Sequence, residues 1–153
     1  MAYTTAEGRQ ELLDALAQAA GELGFASACL SEAFEQLDEY SGERLEERCF
    51  RPVQAAYGRA KRTHAEFAKR HGLGAASFEP PESTGVPSQG PAAFVLRAVE
   101  AAGAADRSLA DLQDSMLPVE AGDEELRAGL RAVREPLDGL PEAAREFLRG
   151  LGR

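Results

Sequence analysis

An all-α fold, an antiparallel four-helix bundle forming one domain over residues 1–153, is predicted by three features of the chain. Four apolar stripes recur at alternating spacings of three and four residues. Alanine is abundant while β-branched residues are scarce and tryptophan is absent. Two short turns and one long Pro/Gly-rich segment separate the stripes.

Thr4 and Glu7 have the spacing of a capping box, so a helix is expected to start there. Leu12, Leu16, Ala19, Leu23, Ala26, Leu30, Ala33 and Leu37 then hold one face to about Tyr40, and Ser41-Gly42 is expected to turn the chain. The second stripe is Leu45, Cys49, Val53, Ala56, Ala60, His64, Phe67 and His71. Pro52 lies inside it and predicts a kink near Arg48, because proline lacks the N–H and crowds the carbonyl four residues back. His71-Gly72 predicts the helix end.

Residues 72–90 hold Pro80, Pro81 and Pro87 among Gly, Ser and Thr, which predicts a long surface loop. Such a loop is expected to bury little, so a shorter Gly-Ser replacement should preserve folding. The third helix begins at Pro91, carries Phe94, Ala98, Ala101, Ala105, Leu109, Leu112 and Met116, and is expected to close at Pro118. The fourth carries Leu126, Leu130, Val133, Leu137, Leu140, Ala144, Phe147 and Leu151, with a break predicted near Gly139. An up-down-up-down order is favoured; a ferritin-like crossover results if residues 72–90 run the length of the bundle.

The formal charge of −9 weighs against nucleic acid and anionic lipid as partners, since both are polyanions. No window nears the ~18 apolar residues a membrane span requires, and residues 1–10 lack a signal segment, so a cytoplasmic location is expected. Cys29 and Cys49 fall out of register for a bridge and are expected as two buried thiols.

No cofactor or metal is expected. A carboxylate-bridged dimetal bundle needs inward glutamates and Glu-x-x-His pairs, and here Lys61 and Ala68 stand three residues before His64 and His71. Cys49, in a core stripe, lacks the base and oxyanion site a nucleophile needs.

His64 is the candidate site residue, on the apolar side of its helix between Tyr57 and Phe67. It reads first as a core histidine hydrogen-bonded to a neighbouring helix. A small-molecule or metal site is the alternative, provided Ala98, Ala101, Ala102 and Gly103 leave a cavity beside it. Residues 64–75 also resemble the histidine motif of histidine phosphotransfer domains, which are four-helix bundles with an exposed, reactive histidine, chiefly through Leu73-Gly74-Ala75. That resemblance implies phosphoryl transfer through His64. Glu66-Phe67-Ala68 departs from it, replacing the Leu-Lys-Gly that supplies a lysine and a small residue.

Acidic residues crowd the first helix (Glu7, Glu11, Asp14, Glu22, Glu32, Glu35) and basic ones the second (Arg44, Arg48, Arg51, Arg59, Lys61, Arg62), so the two flanks are expected to face each other. In the favoured order Asp38, Glu39 and Glu43 would share one end with Asp114, Glu120, Asp123, Glu124 and Glu125. The leading functional expectation is a non-catalytic interaction or adaptor protein, a homodimer or the partner of another protein. Phe25, Phe34 and Phe50, beside the core stripes, would form the interface.

Overall fold

A computed structural model describes residues 4–151. Thr4 accepts from the Glu7 amide at 3.1 Å and the Glu7 carboxylate reaches back to the Thr4 amide, completing the predicted capping box at the start of α1 (Thr5–Glu35). Helix α1 stops short of Tyr40 because Asp38 caps a new helix, accepting from the Ser41 amide at 2.7 Å to begin α2 (Glu39–Leu45). Ser41-Gly42 is therefore inside α2, not the turn. Gly42 has a packing role there, since a Cβ would stand 3.2 Å from the Phe34 ring.

A π turn, Glu46–Phe50, joins α2 to α3 (Arg51–Arg70). It accommodates Pro52: the Arg51 N–H bonds the Glu46 carbonyl five residues back, so the extra residue is taken up just before the proline. The kink expected near Arg48 takes this form. Helix α3 ends at His71-Gly72 as expected, with Gly72 at φ 65°. The Leu73 N–H bonds the Ala68 carbonyl at 2.8 Å and Gly72 that of Lys69, which is a Schellman ending.

Helix α4 (Pro91–Asp114) stops before Pro118, which instead sits in a one-turn helix, α5 (Leu117–Glu120). Met116, expected in the core, is 60% exposed as a result. Asp123 caps α6 (Glu124–Arg134), and after a 3₁₀ turn at Glu135–Leu137 the chain breaks at Gly139, φ 78°, before α7 (Leu140–Leu151). That break is the predicted one. Among the described residues there is no strand, and no helix is long and apolar enough to cross a membrane.

The residues of the four stripes make the core. Leu16, Leu23, Val53, Ala60, Phe94, Ala105, Leu126 and Val133 are all fully buried, as are Cys29 and Cys49. Both thiols are unpaired, and burial pushes each up to about 11, against the opposing pull of Arg97 on Cys29 and Arg48 on Cys49. Helix α1 packs most extensively on α4 and then on α3; α3 packs on α6, and α4 on α7.

Helix directions follow from contacts at the two ends. The Arg9 guanidinium of α1 donates to the Ala121 carbonyl, and Arg70 and His71 at the end of α3 meet Asp123. The start of α1, the end of α3, the segment after α4 and the start of α6 therefore share one end. At the other, Arg48 pairs with Glu146 of α7 and Arg44 lies against Gly150. Helices α3 and α4 thus run in the same direction, and residues 73–90 cross the whole length between them. This corrects the favoured up-down-up-down order. It also separates Asp38, Glu39 and Glu43 from the 111–125 segment, so the expected acidic end does not assemble.

The crossing changes what the loop must do. Helix α4 has 24 residues and so spans about 36 Å at ~1.5 Å per residue, whereas a six-residue linker reaches only about 20 Å. Replacing residues 73–90 by six Gly-Ser residues is expected to abolish the native fold, seen as loss of a cooperative thermal transition by circular dichroism. An unchanged transition would show that the crossing is dispensable.

Candidate functional site

His64 sits where α3 faces both α1 and the crossing segment. It is 1% exposed, and neither Nδ1 nor Nε2 has a hydrogen-bond partner. The hydrogen bond expected from a neighbouring helix is absent among the described residues. What covers the ring is Phe78 of the crossing segment, edge to face with centroids 5.2 Å apart. Burial lowers the imidazole below its ordinary value, while the Asp14 carboxylate pulls the other way. With Phe78 in place the ring is enclosed, unlike the exposed, reactive histidine of phosphotransfer domains. The phosphotransfer resemblance ends there, and Leu73 serves the α3 terminus instead.

Tyr57 lies two turns earlier on α3, with its ring against the bare backbone of α1: a Cβ at Gly24 would stand 3.0 Å from Cζ. The Lys61 ammonium lies 4.0 Å from the centroid of the same ring. Tyr57, Gly21, Gly24, Phe25, Ser77, Phe78, Glu79 and Pro81 line a cavity of about 410 Å³. Phe78 thus touches His64 and lines the cavity beside Tyr57, linking two of the predicted site residues. Phe67 belongs elsewhere. It is buried, 4.6 Å from the His71 ring with Arg70 at 5.8 Å, in the cluster at the end of α3.

The small residues of α4 do not open space toward His64. Ala98 and Ala102 are buried in the core, and Ala101 lines a separate cavity with Phe25, Arg97, Glu100 and Ala104. Among the described residues no group of three or more His, Cys, Asp or Glu could hold a metal ion.

Of the three flanking aromatics, Phe34 and Phe50 meet edge to face at 6.5 Å, at the corner where α1 hands over to α2. Phe25 lies apart, beneath the crossing segment. At the corner Phe34 is 40% exposed and Tyr40 71%. The expected pairing of α1 acids with α3 bases does not form among the described residues. Three bases of this stretch bond away from α1, Arg48 to Glu146, Arg59 to the Ala132 carbonyl at 2.7 Å and Arg70 to Asp123. Apolar stripes occupy the α1–α3 contact, and the nearest acceptors for these arginines lie on α6, on α7 and before α6.

The acid sensitivity of the fold should report on His64. The unfolded chain takes up its proton near 6.5, while the folded ring resists protonation to a lower pH, so stability is expected to fall as pH drops through 6.5 and to level off below the folded value. Asp123 acts in a different window. Partial burial raises it, but hydrogen bonds from Arg70, the Leu126 amide and His71 prevail and hold it well below the usual carboxylate range, so its contribution is lost only below pH 3.8. Thermal melts from pH 7.5 to 5 should show a decline in the wild type that His64→Leu lacks. Parallel curves would contradict the neutral, enclosed ring.

No protein-family model matches the chain, and no curated protein or solved structure matches it.

Proposed function

We propose that this chain is a non-catalytic interaction protein, a four-helix bundle with a ferritin-like crossover that self-associates through the α1–α2 corner. The supporting observation is the exposure of Phe34 and Tyr40 beside the half-buried Phe50, on a surface otherwise rich in charge. Large aromatic groups left partly in water are the anchors that protein interfaces most often use.

The charge order along this rod favours a second copy as the occupant. Helix α2 opens with Glu39 and Glu43, and exposed Arg51 follows the π turn. Two such rods laid antiparallel across a two-fold axis set the acidic start of each against the basic end of the other, the self-complementarity an isologous contact requires.

Sedimentation equilibrium tests this. A dimer is expected, weakened at least about tenfold, or ~1.4 kcal/mol, by Tyr40→Glu and by Phe34→Glu. Leu96, 57% exposed on α4, serves as the control, and Leu96→Glu should leave the dimer intact. A wild-type monomer at all concentrations would remove self-association.

A further inference from the structure

The cavity beneath the crossing segment has the composition of a ligand site, and its features are independent of the α1–α2 corner. Three aromatic rings from three elements wall it: Phe25 from α1, Tyr57 from α3 and Phe78 from the crossing segment. Its floor is α1 backbone at Gly21 and Gly24; the Tyr57 ring lies against Gly24, whereas a Cβ at Gly21 would meet nothing within 4 Å. No basic residue lines it, and Glu79 is the one charged group that does. At about 410 Å³ it falls in the range of small-molecule pockets. Such walls favour a flat, neutral, apolar body, and the Glu79 carboxylate disfavours an anion.

The second observation lies on the far side of Phe78. His64 is buried with two unmet hydrogen-bonding groups, an arrangement native interiors seldom tolerate. Its ring is covered by the same phenyl group that walls the cavity. Phe78 is carried on a stretch with no regular secondary structure, from Leu73 to Pro81, so its ring can withdraw without unwinding a helix. Withdrawal of that ring would uncover His64 on the side of the cavity that Phe78 lines. A neutral imidazole offers one donor and one acceptor, and a hydroxyl group can answer either.

We propose that this cavity binds a small, neutral, planar aromatic molecule bearing a hydroxyl group, a phenol, which displaces Phe78, packs between Tyr57 and Phe25, and hydrogen-bonds to His64. Phe78 acts as a resident plug that lowers the apparent affinity by occupying the ligand's place.

The test uses p-cresol as probe and toluene, which has the same shape without the hydroxyl, as its control. Titration calorimetry on the full chain should show saturable p-cresol binding that tightens at least tenfold in Phe78→Ala, with toluene at least tenfold weaker than p-cresol. The ¹⁵N resonances of the His64 ring should shift on addition of p-cresol. Gly21→Leu adds a side chain on the cavity floor, at a position where a Cβ meets nothing within 4 Å, so, with its helical content and thermal transition checked by circular dichroism, it should abolish binding in the wild-type background whether or not Phe78→Ala folds. Binding unaffected by Gly21→Leu would overturn the proposal, as would equal affinity for toluene and p-cresol or the absence of saturable p-cresol binding in folded protein.

Discussion

One carboxylate holds the end of this molecule together. Asp123 accepts from Arg70 Nε and Nη2 at 2.8 and 2.9 Å, from His71 Nε2 at 2.8 Å and from the Leu126 amide at 2.7 Å. It therefore caps α6 and anchors the end of α3 at once. Charge-assisted bonds of this kind are stronger than neutral ones, and the bidentate arginine fixes geometry as well as distance. Because Asp123 follows α4 and α5 in the chain, binding the end of α3 to it brings the ends of α3 and α4 together. Two consecutive long helices that finish at the same end of the molecule must be joined by a segment running back along them, and residues 73–90 are that segment.

The rest of the molecule's character follows from that crossing. The segment carries Phe78 onto His64 and Ser77, Glu79 and Pro81 over the α1 glycines, and Arg97 near the start of α4 donates to the Thr84 carbonyl at 3.1 Å to hold its far end. A tight turn at the end of α3 would leave His64 open to water and Tyr57 on a bare surface. The crossing also sends the two acidic turns to opposite ends. Arg48, Arg59 and Arg70 turn to acceptors on and before the α6–α7 pair, while Arg51, Lys61, Arg62 and Lys69 stay exposed.

Much of this was legible in the residues and some was not, for physical reasons. Periodicity reported burial faithfully, from Leu12 to Ala33 and from Leu45 to Phe67, because one face of each helix had to be dry. Asp38 hid the α1–α2 turn: Ser41-Gly42 has turn composition, but a capping aspartate three residues before Ser41 outranks it, and Gly42 was needed to admit the Phe34 ring. Pro52 marks a disturbance in the helix, but its residue type does not reveal that a π turn absorbs it. The crossing was invisible because a Pro- and Gly-rich segment of that length suits either path, and only pairing between distant residues such as Arg70 and Asp123 decides. Phe78, which covers His64 and lines the cavity, is the residue of the candidate site that helical periodicity does not mark. A single large aromatic in a polar loop was the available signal, since such a side chain is costly to leave in water.

The parallel course of α3 and α4 underlies both the covered His64 and the cavity, so it is the feature to measure. Spin labels at exposed positions 69 and 115 should lie nearer to each other by double electron–electron resonance than labels at 69 and 92, which should lie about 30 Å or more apart, given the ~1.5 Å rise of α4. A short 69–92 distance with a long 69–115 distance would contradict the account, returning the chain to an up-down-up-down order.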